Sequence, residues 1–389
     1  MHLRQAIALI LISIFVFSCK KDQNASSNGQ ADNCHIQKSV SDGNIVRDEY
    51  IIAYRPSSLD TRSMSIERLS QISKDVLRRS DISPTAIEQT FEGEPGGFIA
   101  HLTLQQVMKL KTDSEIEAVE SDRIVALSTC FTVAAPTLLT WSVKRVGYAD
   151  GTGKTAWVID TGIDSTHPDL TVDHSRSRSF IRESSSTNDE NGHGTHVAGI
   201  IGAKNNTFGI MGVASGATLV SLRVLDKDGS GLLSYIIEAL GYVNSNASPG
   251  DVVNLSLGED SISNILDQQV QNTAARGIYI AIAAGNDSKP ARDFSPGRVN
   301  GPNIFTVSAI DSVDNFASFS NYGNDVIDYA SPGVRILSTY KEGKYAYMTG
   351  TSMAAPHVAG LLLLKGADIA TDGTAKKDPD GTPDPIAHY

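Results

Sequence analysis

Four short stretches carry the residue types that acyl transfer to water requires: a nucleophile, a base, a group that orients the base, and donors for the oxyanion. Asp160 follows the apolar run Trp157-Val158-Ile159 within Val158-Ile159-Asp160-Thr161-Gly162-Ile163-Asp164. A carboxylate at the end of a buried strand is rigid and partly desolvated, which suits it to holding an imidazole in one tautomer. By itself an aspartate there is ordinary. His193 sits in Asn191-Gly192-His193-Gly194-Thr195-His196-Val197-Ala198-Gly199, with Val197, Ile200 and Ile201 at helical spacing. His196 competes for the role of base and is read as structural. Ser352 lies in Gly350-Thr351-Ser352-Met353-Ala354-Ala355-Pro356-His357-Val358-Ala359-Gly360, and the apolar run to Leu364 makes it the start of a buried helix. A serine there has free backbone N–H groups and a positive dipole beside it. Pro356 is expected close enough to the helix start to be tolerated. Asn286 ends Ala283-Ala284-Gly285-Asn286, so its amide can donate to an oxyanion opposite the Ser352 N–H.

These residues need a scaffold, and the pattern supplies one. Short apolar runs at 156–159, 219–224, 252–255, 278–283 and 304–307 read as strands, with helical stretches at 193–201, 230–242 and 264–276 between several of them. That alternation predicts a doubly wound, mainly parallel α/β sheet with helices on both faces, whose function gathers at the strand carboxyl ends. A different pattern precedes it. Strand-type runs at 49–54, 86–91, 97–102 and 117–125, with helices at 65–79 and 104–111, fit a small α+β ferredoxin-like domain.

The N-terminus reads as a targeting segment: Arg4, then twelve almost wholly apolar residues from Ala6 to Phe17, then Ser18-Cys19. Either Cys19 is lipidated, as in a bacterial lipoprotein, or it lies near an ordinary signal cut. The chain is therefore expected to be exported, secreted or held at the bacterial cell envelope. The expected divisions are a signal at 1–19, a polar tether at 20–47, the ferredoxin-like domain at 48–129, the α/β domain at 130–366 and a polar tail at 367–389. Of the three cysteines, Cys34 and Cys130 remain for a disulfide, which a core of this size does not require. A net charge of −11 argues against a nucleic-acid partner and favours solubility. Gly151-Thr152-Gly153-Lys154-Thr155 looks like part of a phosphate loop, but it has Tyr148 where the first glycine belongs and precedes a strand instead of following one.

The motifs around Asp160, His193, Asn286 and Ser352, in that order, resemble the subtilisin-like serine proteases over about residues 136–366. Asp228-Gly229-Ser230-Gly231, Asp293-Phe294-Ser295-Pro296 and Ser318-Phe319-Ser320-Asn321-Tyr322-Gly323 are most similar to the proteinase K branch. The resemblance implies a serine endopeptidase acting on polypeptides with the triad Asp160, His193 and Ser352, and with Asn286 at the oxyanion. It implies that Gly229, Ser230 and Gly231 on one side, and Ser256, Leu257 and Gly258 on the other, sandwich an extended substrate. Ala283, Ala284 and Gly285 would wall a primary pocket open to bulky apolar or aromatic side chains, and Leu233 would line a more distant subsite. Glu259-Asp260 stand where the family has glycine; they either favour basic substrate residues or point to solvent. No cofactor is implied for catalysis, and a structural calcium would sit on Pro302, Ile304 and Asp328. The N-terminal domain resembles the family's inhibitory propeptide, with the self-cleavage point within 126–132. A monomer is expected. The competing readings are a silent binding lipoprotein on the same scaffold and a maturation protease dedicated to one partner.

Overall fold

A computed structural model of the chain describes residues 41–61, 64–128, 130–133 and 138–389. The signal segment, Cys19, Cys34 and residue 129 lie outside them.

The N-terminal module runs β1 (Ile45–Tyr54), α1 (Ile66–Arg79), β2 (Ile87–Phe91), β3 (Gly97–His101), α2 (Leu104–Leu110) and β4 (Ile116–Ala126). Its antiparallel strands lie in the order β4-β1-β3-β2. Ser65 caps α1, and Thr103 with Gln106 forms a capping box on α2. Strand periodicity divides the apolar residues between two faces. Ile52, Tyr54, Phe98 and Ala100 pack with Leu69, Val76, Leu77 and Leu110 from the module's own helices. Ile51, Ala53 and Ile99 face the other way, into the core of the α/β domain. Residues ahead of 48 already join the module: Gly43 N–H bonds to Ile124 O and Ile124 N–H to Asn44 O.

The α/β domain follows with β5 (Cys130–Val133), α3 (Trp141–Val146), β6 (Ala149–Asp150), β7 (Thr155–Asp160), β8 (Arg178–Ser179), α4 (His193–Gly202), β9 (Ala214–Ser215), β10 (Thr218–Arg223), β11 (Ser230–Leu232), α5 (Leu233–Asn246), β12 (Val252–Leu255), α6 (Asn264–Ala275) and β13 (Tyr279–Ala283). It closes with β14 (Ile304–Ile310), β15 (Ile327–Pro332), β16 (Ile336–Tyr340), β17 (Lys344–Thr349), α7 (Thr351–Lys365), β18 (Ala370–Thr374) and β19 (Pro385–His388). Nine strands form one sheet in the order β18-β19-β15-β14-β13-β12-β7-β10-β8, parallel throughout except for the pair β18–β19. Both faces are covered. Ala156 and Val158 pack with α4 and α7, while Trp157 and Ile159 pack with α5 and α6.

Two expectations fail here. Residues 230–232 form β11 instead of starting a helix; β11 pairs with β4 of the N-terminal module. Residues 367–389 are not a solvated tail. β19 extends the sheet, Ile386 and Ala387 are buried, and Asp384, 1% exposed, accepts from Ser308 Oγ at 2.6 Å. Two apolar residues in a polar stretch are enough to seal a sheet edge, and too few to show as a pattern.

Candidate active site

The sheet brings Asp160, at the end of β7, to His193, the first residue of α4. His193 Nδ1 donates to Asp160 Oδ1 at 2.8 Å and lies 3.0 Å from Oδ2, with both residues fully buried. Thr161 N–H also donates to Asp160 Oδ1 at 2.7 Å. Nδ1–H is thereby tied to the carboxylate, leaving Nε2 as the basic nitrogen; it is buried and has no hydrogen-bond partner among the described residues. Close packing makes this contact possible. A side chain at Gly194 would strike the Gly162 carbonyl, and Gly192, at φ 115°, leaves room only for the Tyr340 ring.

Asp189, which sequence reasoning missed, holds the start of α4. It is buried and accepts from Gly192 N–H, Thr195 N–H and the hydroxyls of Thr161 and Thr195 at 2.6–2.9 Å. Burial raises its carboxyl above the usual range and these donors oppose the shift. The signal was an aspartate four residues before the histidine, on a segment with no other reason to fold inward. His196 is structural as expected: its Nε2 donates to the carbonyls of Ile336 and Ala346, and burial pushes its pKa down to about 3.

Ser352 is the second residue of α7. Pro356 sits past the first turn, and its missing N–H leaves the carbonyl of Ser352 without its helical donor. Ser256 Oγ takes that place, donating to Ser352 O at 2.8 Å while accepting from Asn254 Nδ2 at 2.8 Å. The proline is thus not tolerated by position, as expected, but compensated. Asn286 Oδ1 accepts from the Thr351 N–H and hydroxyl at 2.8 and 2.9 Å, which fixes the amide and turns Nδ2 into the cleft. Asn321, fully buried, holds the loop behind it through Ala284 O and the N–H groups of Asp287 and Lys289, all at 3.0 Å.

The cleft holds the chain's own strand. Ser230, Gly231 and Leu232 pair antiparallel with Ala126, Val125 and Ile124, and Leu127 N–H bonds to Gly229 O at 3.0 Å. Val125 enters the cluster containing Leu233 and Leu257. The strand ends with the Ser128 carbonyl accepting from Asn286 Nδ2 at 3.0 Å. Ser256, Leu257, Gly258, Ala283, Ala284 and Gly285 line a cleft that also takes in Ser128 and Ser352. Among the described residues, the strand's backbone bonds to the α/β domain lie on the 229–232 side. On the edge facing away from β11, Ala126 N–H donates to Asp42 Oδ1 at 3.0 Å, and Asn44 takes Ile124.

Residues 151–371 match the subtilase family, and residues 49–128 match the peptidase inhibitor I9 family. The chain belongs to the subtilase family. It is 36% identical over 326 residues to the M-protease of Shouchella clausii, with 82% of this chain and 81% of that one covered. It is equally similar, over 297 residues, to a thermostable alkaline protease of Halalkalibacterium halodurans, covering 74% of this chain and 79% of that one. An alkaline serine exoprotease A of Vibrio alginolyticus is 36% identical over 333 residues, covering 82% of this chain; the subtilase spans 60% of that relative's length. The crystal structure of a cold-adapted subtilisin-like serine proteinase superposes with a TM-score of 0.57 at 34% identity, covering 65% of this chain and 98% of that one. The N-terminal module of this subtilase is accordingly an inhibitory propeptide domain, and the enzyme is a serine endopeptidase made as a zymogen.

Of the expected calcium residues, Ile304 opens β14 and Asp328 lies on the neighbouring β15. Burial pushes the Asp328 carboxyl up to about 6, with one oxygen taking Thr306 N–H at 2.8 Å. No group of three or more acidic, histidine or cysteine side chains gathers to hold a metal among the described residues.

Proposed function

We propose that this endopeptidase matures by cutting its own chain after Ser128. The supporting observation is the Ser128 carbonyl on Asn286 Nδ2, at the end of a strand laid in the substrate groove. In the proposed step Ser352 Oγ attacks the Ser128 carbonyl carbon while His193 Nε2 takes its proton. The bond to residue 129 breaks, and His193 returns the proton to the leaving amine. Water, with His193 again as base, then releases a Ser128 carboxylate and regenerates Ser352. Intact-mass analysis of purified protein should give a propeptide ending at Ser128 and an enzyme beginning at Thr129. A cut at any other bond in 124–132 would refute the assignment.

The chain is read as exported, with Cys19 lipidated. If so, the cut leaves the anchor on the propeptide and frees the enzyme, because Cys19 and the α/β domain lie on opposite sides of Ser128. The same mass measurement tests this, since acyl mass should travel with the propeptide piece. Membrane retention without acyl mass in Cys19→Ala would defeat the anchor.

A structural calcium at Pro302, Ile304 and Asp328 belongs to this reading. A buried carboxylate with a raised pKa gains from a cation, and one carboxylate with two backbone carbonyls suits oxygen-seeking calcium. At a calcium concentration one hundred times its Kd, linkage contributes ~2.7 kcal/mol. For a domain of this size that is roughly 5–10 °C in Tm, which a melting comparison of calcium against chelator measures. Equal Tm values would remove the site.

A further inference from the structure

We infer that the cleft beside Ser352 selects substrates with lysine or arginine on the acyl side of the scissile bond, and that Glu259 reads the charge. The inference rests on the endopeptidase reading and names its substrate class.

Glu259 and Asp260 follow directly on Ser256-Leu257-Gly258, and the sequence left their direction open. The structure separates the pair. Asp260 is exposed, 3.9 Å from Lys289 Nζ, itself exposed. Glu259 is 2% exposed and turned inward. Its N–H bonds to Ser295 O at 3.0 Å on the cleft wall, and its Oε2 accepts from Ser261 Oγ at 3.0 Å. Its Oε1 is buried and has no hydrogen-bond partner among the described residues. A buried carboxylate oxygen left without a donor is costly, and a cation's N–H groups are what it lacks.

The rest of the cleft suits a long basic side chain. Leu257, Ala283, Ala284, Phe294 and Gly297 form apolar walls, while Glu259, Asp260 and Asp287 of the α/β domain and Asp42 of the N-terminal module supply carboxylates, and no lysine or arginine lines it among the described residues. An aliphatic stem against apolar wall with a charged head on carboxylate is how lysine and arginine partition between such surfaces. Ser128 puts only a hydroxymethyl group at that position, and the cation acting on Glu259 is Arg123 of β4, which departs with the propeptide. Burial in the zymogen pushes the Glu259 carboxyl up to about 7, and a cation beside it brings it back down.

The test uses processed enzyme and two peptides identical except for arginine or norleucine at the acyl-side residue. At low ionic strength the arginine peptide should be cleaved with a kcat/KM about tenfold higher. The ratio should fall to about one in Glu259→Gln and shrink in the wild type at about 1 M salt. A wild-type ratio of one or less overturns the proposal, as does a ratio that Glu259→Gln leaves unchanged or, should that variant fail to fold, one indifferent to salt. Cleavage of norleucine peptide alone shows a working endopeptidase with the wrong specificity assigned. Cleavage of neither peptide counts against the endopeptidase reading, and this inference falls with it.

Discussion

Ser352→Ala should leave the purified protein as one uncut chain and abolish peptide hydrolysis. The expected loss is ~10⁶ in kcat, about 8 kcal/mol, a figure measured on subtilisin and carried over to this family member. The geometry explains why no other group can take over. His193 Nδ1 is committed to Asp160, and Nε2 is buried with no hydrogen-bond partner among the described residues, so Nε2 is the nitrogen left to take a proton. The fold should not suffer. Asn286 caps α7 through Thr351, and Ser256 reaches the Ser352 carbonyl and not its hydroxyl, so both contacts survive truncation. The variant should melt within ~1 kcal/mol of the wild-type enzyme bound to its propeptide, since it removes one hydroxyl and neither of these hydrogen bonds. Intact mass over time, with a fluorophosphonate probe on the wild type, measures both halves. Self-processing of Ser352→Ala with no other protease present would falsify the mechanism.

Asp160, His193 and Ser352 could be placed because each sits where an element begins or ends. Apolar strands, helical spacing and short motifs locate such boundaries from sequence alone, which placed Asp160, His193, Asn286 and Ser352. Residues whose roles depend on a distant partner were not legible. Asp189 works by folding inward onto Thr161 and Thr195, and Ser256 matters because Pro356, a hundred residues later, frees a carbonyl. Asp42 lies in a polar stretch that composition reads as tether, yet its side chain caps Ala126 in the groove. The direction of Glu259 depends on a backbone bond to Ser295 that no local rule foresees. One further signal was visible but needed a partner to interpret. Ile51-Ile52-Ala53-Tyr54 is apolar on both strand faces, more than an eighty-residue module with two helices on one side can bury. The surplus face is the surface that docks on α5 and α6.

Asn286→Ala should lower kcat by ~10²–10³, or ~2.7–4 kcal/mol, again subtilisin's own figure for the equivalent donor. In this chain the residue does two things, and a pair of variants separates them. Its Nδ2 donates to the carbonyl under attack, as it does to Ser128 O in the zymogen; its Oδ1 caps α7 through Thr351. Alanine removes both functions. Asn286→Asp keeps the acceptor for Thr351 and loses the donor, and it also places a negative charge where the oxyanion forms. Aspartate should therefore be at least as slow as alanine in kcat, with KM little changed in either, because the lost interaction strengthens only as charge develops on the oxygen. Stability should move the other way. Alanine should cost ~0.5–2 kcal/mol through the lost cap, and aspartate much less. Because the same amide holds the Ser128 carbonyl, self-processing should slow by the factor seen on peptides, and uncut precursor should accumulate in both variants. An Asn286→Asp enzyme retaining more than a tenth of wild-type kcat would remove the residue from the oxyanion site and leave it only its cap.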